Sequence, residues 1–184
     1  MTRYRLMPIY LAGAYLSALS LVLICGLITA QILLRLLDRL LLIFGAESFG
    51  WSVPGLSEIS GFLLVGASFM GLAYTFAQGG HIRVTLLIGR LGPKIRVWLE
   101  VWCLSIALAL CLFLAWYSAF LIHDSWTFNE LSYGLLRIPL WIPQSVMLAG
   151  VVLFCLALIE SWLATLLCAL RSPSHYVPDD QPQE

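Results

Sequence analysis

Four apolar runs, residues 9–34, 59–77, 101–122 and 146–170, dominate this chain, and each is long enough to cross a bilayer as a helix. A hydrocarbon core about 30 Å thick takes about 20 helical residues. A helix satisfies its own backbone hydrogen bonds, which lipid cannot do for it, so such runs admit few other conformations. Charged residues make up 11% of the sequence and hydrophobic ones 61%. Soluble domains carry roughly 25% charge, so this chain cannot cover a water-facing surface and lipid must be its solvent. The expected fold is an all-α membrane protein with four transmembrane helices, near residues 9–34, 57–78, 98–122 and 142–170. These form one membrane domain over residues 1–172, followed by a tail over 173–184 that reads as disordered.

Orientation follows from the cations. With the N-terminus inside, the cytoplasmic segments hold Arg3, Arg5, Arg83, Arg90, Lys94, Arg96 and Arg171, seven of the ten cations, and the outer segments hold Arg35, Arg39 and Arg137. Both termini are therefore expected in the cytoplasm. Arg3 and Arg5 resemble the start of a signal peptide, but the following apolar run exceeds the roughly 7–15 residues of such peptides and reads as an uncleaved anchor. After the first span, Arg35, Asp38 and Arg39 form one narrow polar stripe among leucines. That pattern suits an amphipathic helix over about 35–45 lying in the outer interface; outward extension of the first span is the alternative. Pro54-Gly55 marks a turn, Ser57 is a plausible N-cap for the second span, and Glu58 sits in its first turn, favoured by the helix dipole.

The second span carries small and polar residues at helical spacing: Ser57, Gly61, Ser68, Gly71, Thr75 and Gln78. Such a face permits close helix contact in lipid, and Gly79-Gly80 can end the helix. Glu160, inside the fourth span, is the most costly residue. It is either an ion or proton site, or a structural partner for a cation such as Arg83 or Arg90 or for another subunit. It stands alone, and no span looks broken, whereas coupling sites gather several carboxylates or broken helices. Arg137, beside Ile138-Pro139 in the outer loop, could meet a periplasmic partner or simply face headgroups.

Catalytic equipment is missing from the sequence. His81, His123 and His175 cannot sandwich a haem across the bundle, and the five cysteines fall in apolar runs without a CxxC pair, reading as small buried hydrophobes. There is no phosphate loop, nucleophile elbow or metal-ligand cluster. Zero net charge argues against a nucleic-acid partner. No cofactor is expected in this chain.

Three stretches point further: Glu58-Ile59-Ser60, then Gly71-Leu72-Ala73-Tyr74, then Gly79-Gly80-His81-Ile82-Arg83-Val84. Together with Leu136 to Pro143, they resemble the small, Q-type (DctQ-like) integral-membrane subunit of tripartite ATP-independent periplasmic (TRAP) transporters. The four-span layout and length fit as well. One departure is Thr85, at a position often acidic in that family. The resemblance implies a non-catalytic subunit of the bacterial inner membrane that scaffolds a large membrane subunit, where sodium and substrate bind. A periplasmic binding protein would deliver an organic acid. It also makes Glu58, Gly71, Gly79, Gly80, His81, Arg83 and Glu160 candidates for structural or subunit contacts, and Arg137 for periplasmic docking. A self-sufficient homo-oligomeric channel or exporter is the alternative from another class.

Overall fold

The computed structural model describes residues 5–44, 50, 54–79 and 93–171. Helix α1 runs from Met7 to Ile43, α2 from Leu56 to Met70, α3 from Leu72 to Ala77, α4 from Pro93 to Thr127 and α5 from Trp141 to Arg171. Four stretches are long and apolar enough to cross a membrane: Met7–Ile43, Leu56–Ala77, Val97–Thr127 and Trp141–Leu170. Among the described residues, prolines within helices stand only where helices tolerate them. Pro8 and Pro143 occupy the first turns of α1 and α5, where the missing N–H has no helical acceptor anyway.

Helix α1 packs on α2 and α3, these pack on α5, and α5 packs on α4. The core gathers Tyr10, Ala73, Phe76, Leu104, Cys111, Val151, Cys155, Ala157 and Leu158. A second cluster of Val97, Val101 and Ala169 joins α4 to α5 at the end away from the 128–140 loop. Between them the Trp162 indole donates to Ser105 Oγ at 2.8 Å. Outside the core the surface is apolar, with α1 burying only Tyr10, Gly13 and Gln31 of its 37 residues. Exposed leucines, tryptophans and phenylalanines cover α1 and α4, which is the surface of a protein solvated by lipid.

Lipid supplies no hydrophobic drive for helix association, so close backbone contact must hold the bundle. The contact centres on Phe69–Gly71. A Cβ on Gly13 of α1 would stand 2.7 Å from the Met70 carbonyl oxygen, and one on Gly150 of α5 would stand 2.5 Å from the Phe69 carbonyl carbon. Both distances are closer than side-chain carbons come, so both glycines are required by the approach of the neighbouring backbone. The second span, expected to be unbroken, is interrupted here at Gly71. At the break the Ser17 hydroxyl donates to the Ala67 carbonyl at 2.5 Å, the oxygen that the Gly71 N–H would meet in a regular helix. The Gly71 N–H points instead to the Phe69 carbonyl.

Other boundaries also differ from the sequence reading. Residues 35–43 continue α1 without a break in the helix. Gly55, in a left-handed conformation at φ 68°, is the N-cap of α2 in place of Ser57, which lies inside the first turn. A Cβ on Gly55 would meet Leu136 Cγ at 2.5 Å, so position and backbone shape both select glycine. Helix α4 runs on through His123 to Thr127, and Trp126 meets Trp141 across the two helix ends, ring centroids 4.9 Å apart. This shortens the α4–α5 connection to residues 128–140.

Gly150→Ala should lower the thermal stability of the detergent-purified chain by about 1–3 kcal/mol, the usual cost of overpacking. Gly26→Ala, which has nothing within 4 Å of its added carbon, should leave it unchanged. A melting curve for each variant checks the pair.

Candidate functional site at the loop end of the bundle

The first turn of α2 holds the 128–140 loop through one carboxylate. Glu58 accepts hydrogen bonds from the Ser132 hydroxyl and, at 2.8 Å, from the Leu136 N–H. The Gly134 backbone adds a third. A side chain at Gly134 would overlap the Glu58 carboxylate, so that glycine makes the clamp possible. The loop is braced internally as well. Leu131 and Pro139 form an antiparallel bridge, Ser132 N–H donates to the Ile138 carbonyl at 2.9 Å and Leu140 N–H to the Glu130 carbonyl at 3.0 Å. Ser125 Oγ donates to Glu130 Oε2 at 2.8 Å. Glu58, expected as a dipole partner or a subunit contact, is thus satisfied within its own chain.

The clamped loop presents an apolar rim. Tyr133 is fully exposed, Leu135 is 81% exposed, and Trp126, Phe128 and Leu131 join them. Arg137 is exposed beside this rim, with no ion-pair partner among the described residues. The arrangement is a rigid surface of aromatic and aliphatic groups with one cation, a composition suited to headgroups or to a protein partner.

Glu160 has a partner that the sequence reading did not name. The Tyr10 hydroxyl of α1 donates to Glu160 Oε2 at 3.0 Å, and Tyr10 itself is fully buried. The bond ties α1 to α5 across the bundle. Of the cysteines, Cys111 and Cys155 are buried with their sulfurs 2.8 Å apart. Cys25 and Cys103 are exposed on the lipid-facing surface, against the expectation of burial. Among the described residues no three His, Cys, Asp or Glu side chains gather to hold a metal.

The small-residue stripe of the second span faces outward. Ser57, Gly61, Ser68, Thr75 and Gln78 are exposed, while Gly66, Ala67, Ala73 and Phe76 fill the interior side. Of the two glycines in the stripe, Gly71 lies close to Ser17, while Gly61 has no described atom within 4 Å of an added side-chain carbon. Gly79 follows α3 with φ 74°, the left-handed geometry of a helix C-terminus. Gly80, His81 and Arg83 lie outside the described residues, as do the side chains of Lys94, Arg96 and Arg171. Sequence reading missed Gly134, Ser132, Tyr10 and Gly13 as contact residues. The signal for Gly134 is a glycine in a half-apolar loop; for the others only the tertiary partner reveals the role.

Comparison with protein families finds one described as "Tripartite ATP-independent periplasmic transporters, DctQ component", matching residues 24–168. Comparison with individual curated proteins and with solved structures gives no match.

Removing the clamp should free the loop and leave the bundle intact. In Glu58→Ala, amides between Ser132 and Leu136 should exchange with deuterium about tenfold faster or more, the loss of one or two charge-assisted hydrogen bonds. Exchange in α5 should be unchanged, and hydrogen-exchange mass spectrometry reads both regions at once.

Proposed function

The chain belongs to the DctQ family of tripartite ATP-independent periplasmic transporters, and we propose from that premise that it is the non-transporting small subunit of such a system. Members of the family are transporter components, not enzymes. In this reading the chain scaffolds a large membrane subunit that binds sodium and an organic acid, while a periplasmic binding protein delivers the acid. It resides in the bacterial inner membrane with both termini in the cytoplasm, as the excess of Lys and Arg on that side requires. The loop end of the bundle, with Arg137 and the Tyr133–Leu135 rim, then faces the periplasm.

The observation that carries the scaffold reading is the outward small-residue face of α2 and α3. Ser57, Gly61, Ser68 and Thr75 are exposed, and a side-chain carbon added at Gly61 would meet no described atom within 4 Å. Lipid gives no reason for glycine and serine on a helix surface, whereas a second helix approaching closely does. Meanwhile Glu160, the one acid deep in a span, is engaged by Tyr10. This supports a static role, since a coupling acid must be free to change partners.

The segment 35–43 extends this surface. A straight helix of the 37 residues of α1 would be about 56 Å long, far beyond the about 30 Å of hydrocarbon. We place its last turns in the outer interface, Arg35 and Arg39 toward headgroups and Leu36, Leu40 and Ile43 toward acyl chains or the large subunit.

The test is co-purification from the native membrane in mild detergent. A large polytopic partner should accompany the tagged chain in stoichiometric amount. Substituting Gly61→Leu with Ser68→Leu should weaken that association about tenfold, as a steric cost of 1–3 kcal/mol predicts, while the melting temperature of the isolated chain stays put. Recovery of the chain only with further copies of itself would favour the channel reading and end this one.

A further inference from the structure

We propose that the cleft between α1 and the start of α2 binds the headgroup of one phospholipid, with Arg35 holding its phosphate. The cleft has a volume of about 490 Å³ and is lined by Ile28, Gln31 and Arg35 of α1, by residues 54–57 and Ser60 at the head of α2, and by Leu135 of the clamped loop. Ile28, Gln31 and Arg35 follow one face of α1. Over the about 10 Å that they span, this wall passes from aliphatic to amide to guanidinium. A phospholipid has the same succession from acyl chain through ester to phosphate. The sequence of polarity along one wall therefore selects an amphiphile in place of a soluble anion.

Two donors at the polar end, on Arg35 and Ser60, have no partner among the described residues. Arg35 is exposed and makes no ion pair or hydrogen bond with a described residue. The Ser60 hydroxyl is shielded from water and has no partner among the described residues. A buried hydroxyl without a partner costs free energy, which a bound acceptor recovers. The α2 N-terminus adds the positive end of its dipole, and its N-cap Gly55 offers no side chain to satisfy the first N–H groups. The nearby Glu58 carboxylate does not oppose an anion directly, being turned into the loop and engaged by Ser132 and Leu136. On the acyl side of the cleft, Leu21 and Ile28 are exposed along the same face of α1, so acyl chains find an apolar surface on leaving it.

The assignment needs only that the helices lie in a bilayer and stands apart from the transport reading. The full-length chain, purified in mild detergent and stripped of lipid, is titrated with dioctanoyl-phosphatidylglycerol and followed by native mass spectrometry. One lipid should bind per chain. Arg35→Ala should weaken it about tenfold, the value of a charge-assisted hydrogen bond, with part of that recovered by Arg35→Lys and a smaller loss in Ser60→Ala. Arg39→Ala, one turn further along α1 and outside the cleft lining, should leave binding unchanged. Equal losses in Arg35→Ala and Arg39→Ala, or none in Arg35→Ala, would overturn the site. Inorganic phosphate and glycerol 3-phosphate lack acyl chains and should bind at least about a hundredfold more weakly; equal binding would make this a free-anion site and overturn the lipid assignment. If the chain in complex with its membrane partner excludes lipid, and Arg35→Ala breaks that complex, an acidic side chain of the partner fills the cleft and the proposal fails.

Discussion

Everything in this bundle depends on how closely the backbone of α2 is approached at Phe69–Gly71. In lipid an apolar side chain gains little by meeting another helix instead of an acyl chain, so packing distance decides whether helices associate. Gly13 from α1 and Gly150 from α5 come in on the carbonyls of Met70 and Phe69, and Ser17 takes the Ala67 carbonyl. The break at Gly71 lies beside that last bond, and Thr75 covers the Gly71 carbonyl with both its N–H and its hydroxyl at 3.0 Å. A break in a membrane helix is tolerated when neighbouring groups satisfy the freed backbone. Here it fastens helices together, in contrast to breaks that form an ion path.

The spans were legible because about 20 consecutive apolar residues leave a chain few other conformations. The helix-ending glycine at 79 and the turn at Pro54-Gly55 were legible for the same kind of local reason, a backbone shape that few residues adopt. What the sequence could not reveal was direction. The stripe Ser57–Gly61–Ser68 is plain in the sequence, yet whether it faces α1, α5 or the outside depends on which other residues of α2 are wanted inside. Ala67, Ala73 and Phe76 won the interior. Likewise Glu160 was visible as an expensive acid, but its donor Tyr10 lies 150 positions away. Ser57 has the chemistry of an N-cap, and lost that role because the left-handed turn at Gly55 starts the helix two residues earlier.

Glu58 links the fold to the proposed role. A carboxylate in the first turn of a helix is stabilised by the dipole, and here it also orders a loop of thirteen residues (128–140) through the donors of Ser132, Gly134 and Leu136. An ordered loop loses less entropy when a partner docks than a mobile one. The exposed rim of Tyr133 and Leu135 with Arg137 is therefore held in place by Glu58.

The central claim is that this chain supports transport without conducting it. Reconstitution into proteoliposomes tests that most directly, with labelled organic acid, an inward sodium gradient, and the chain present alone, with its large membrane subunit and binding protein, or omitted. The account predicts no flux through the chain alone and sodium-dependent uptake only when all three components are present. Flux through proteoliposomes holding this chain alone, or undiminished uptake without it, would contradict the account.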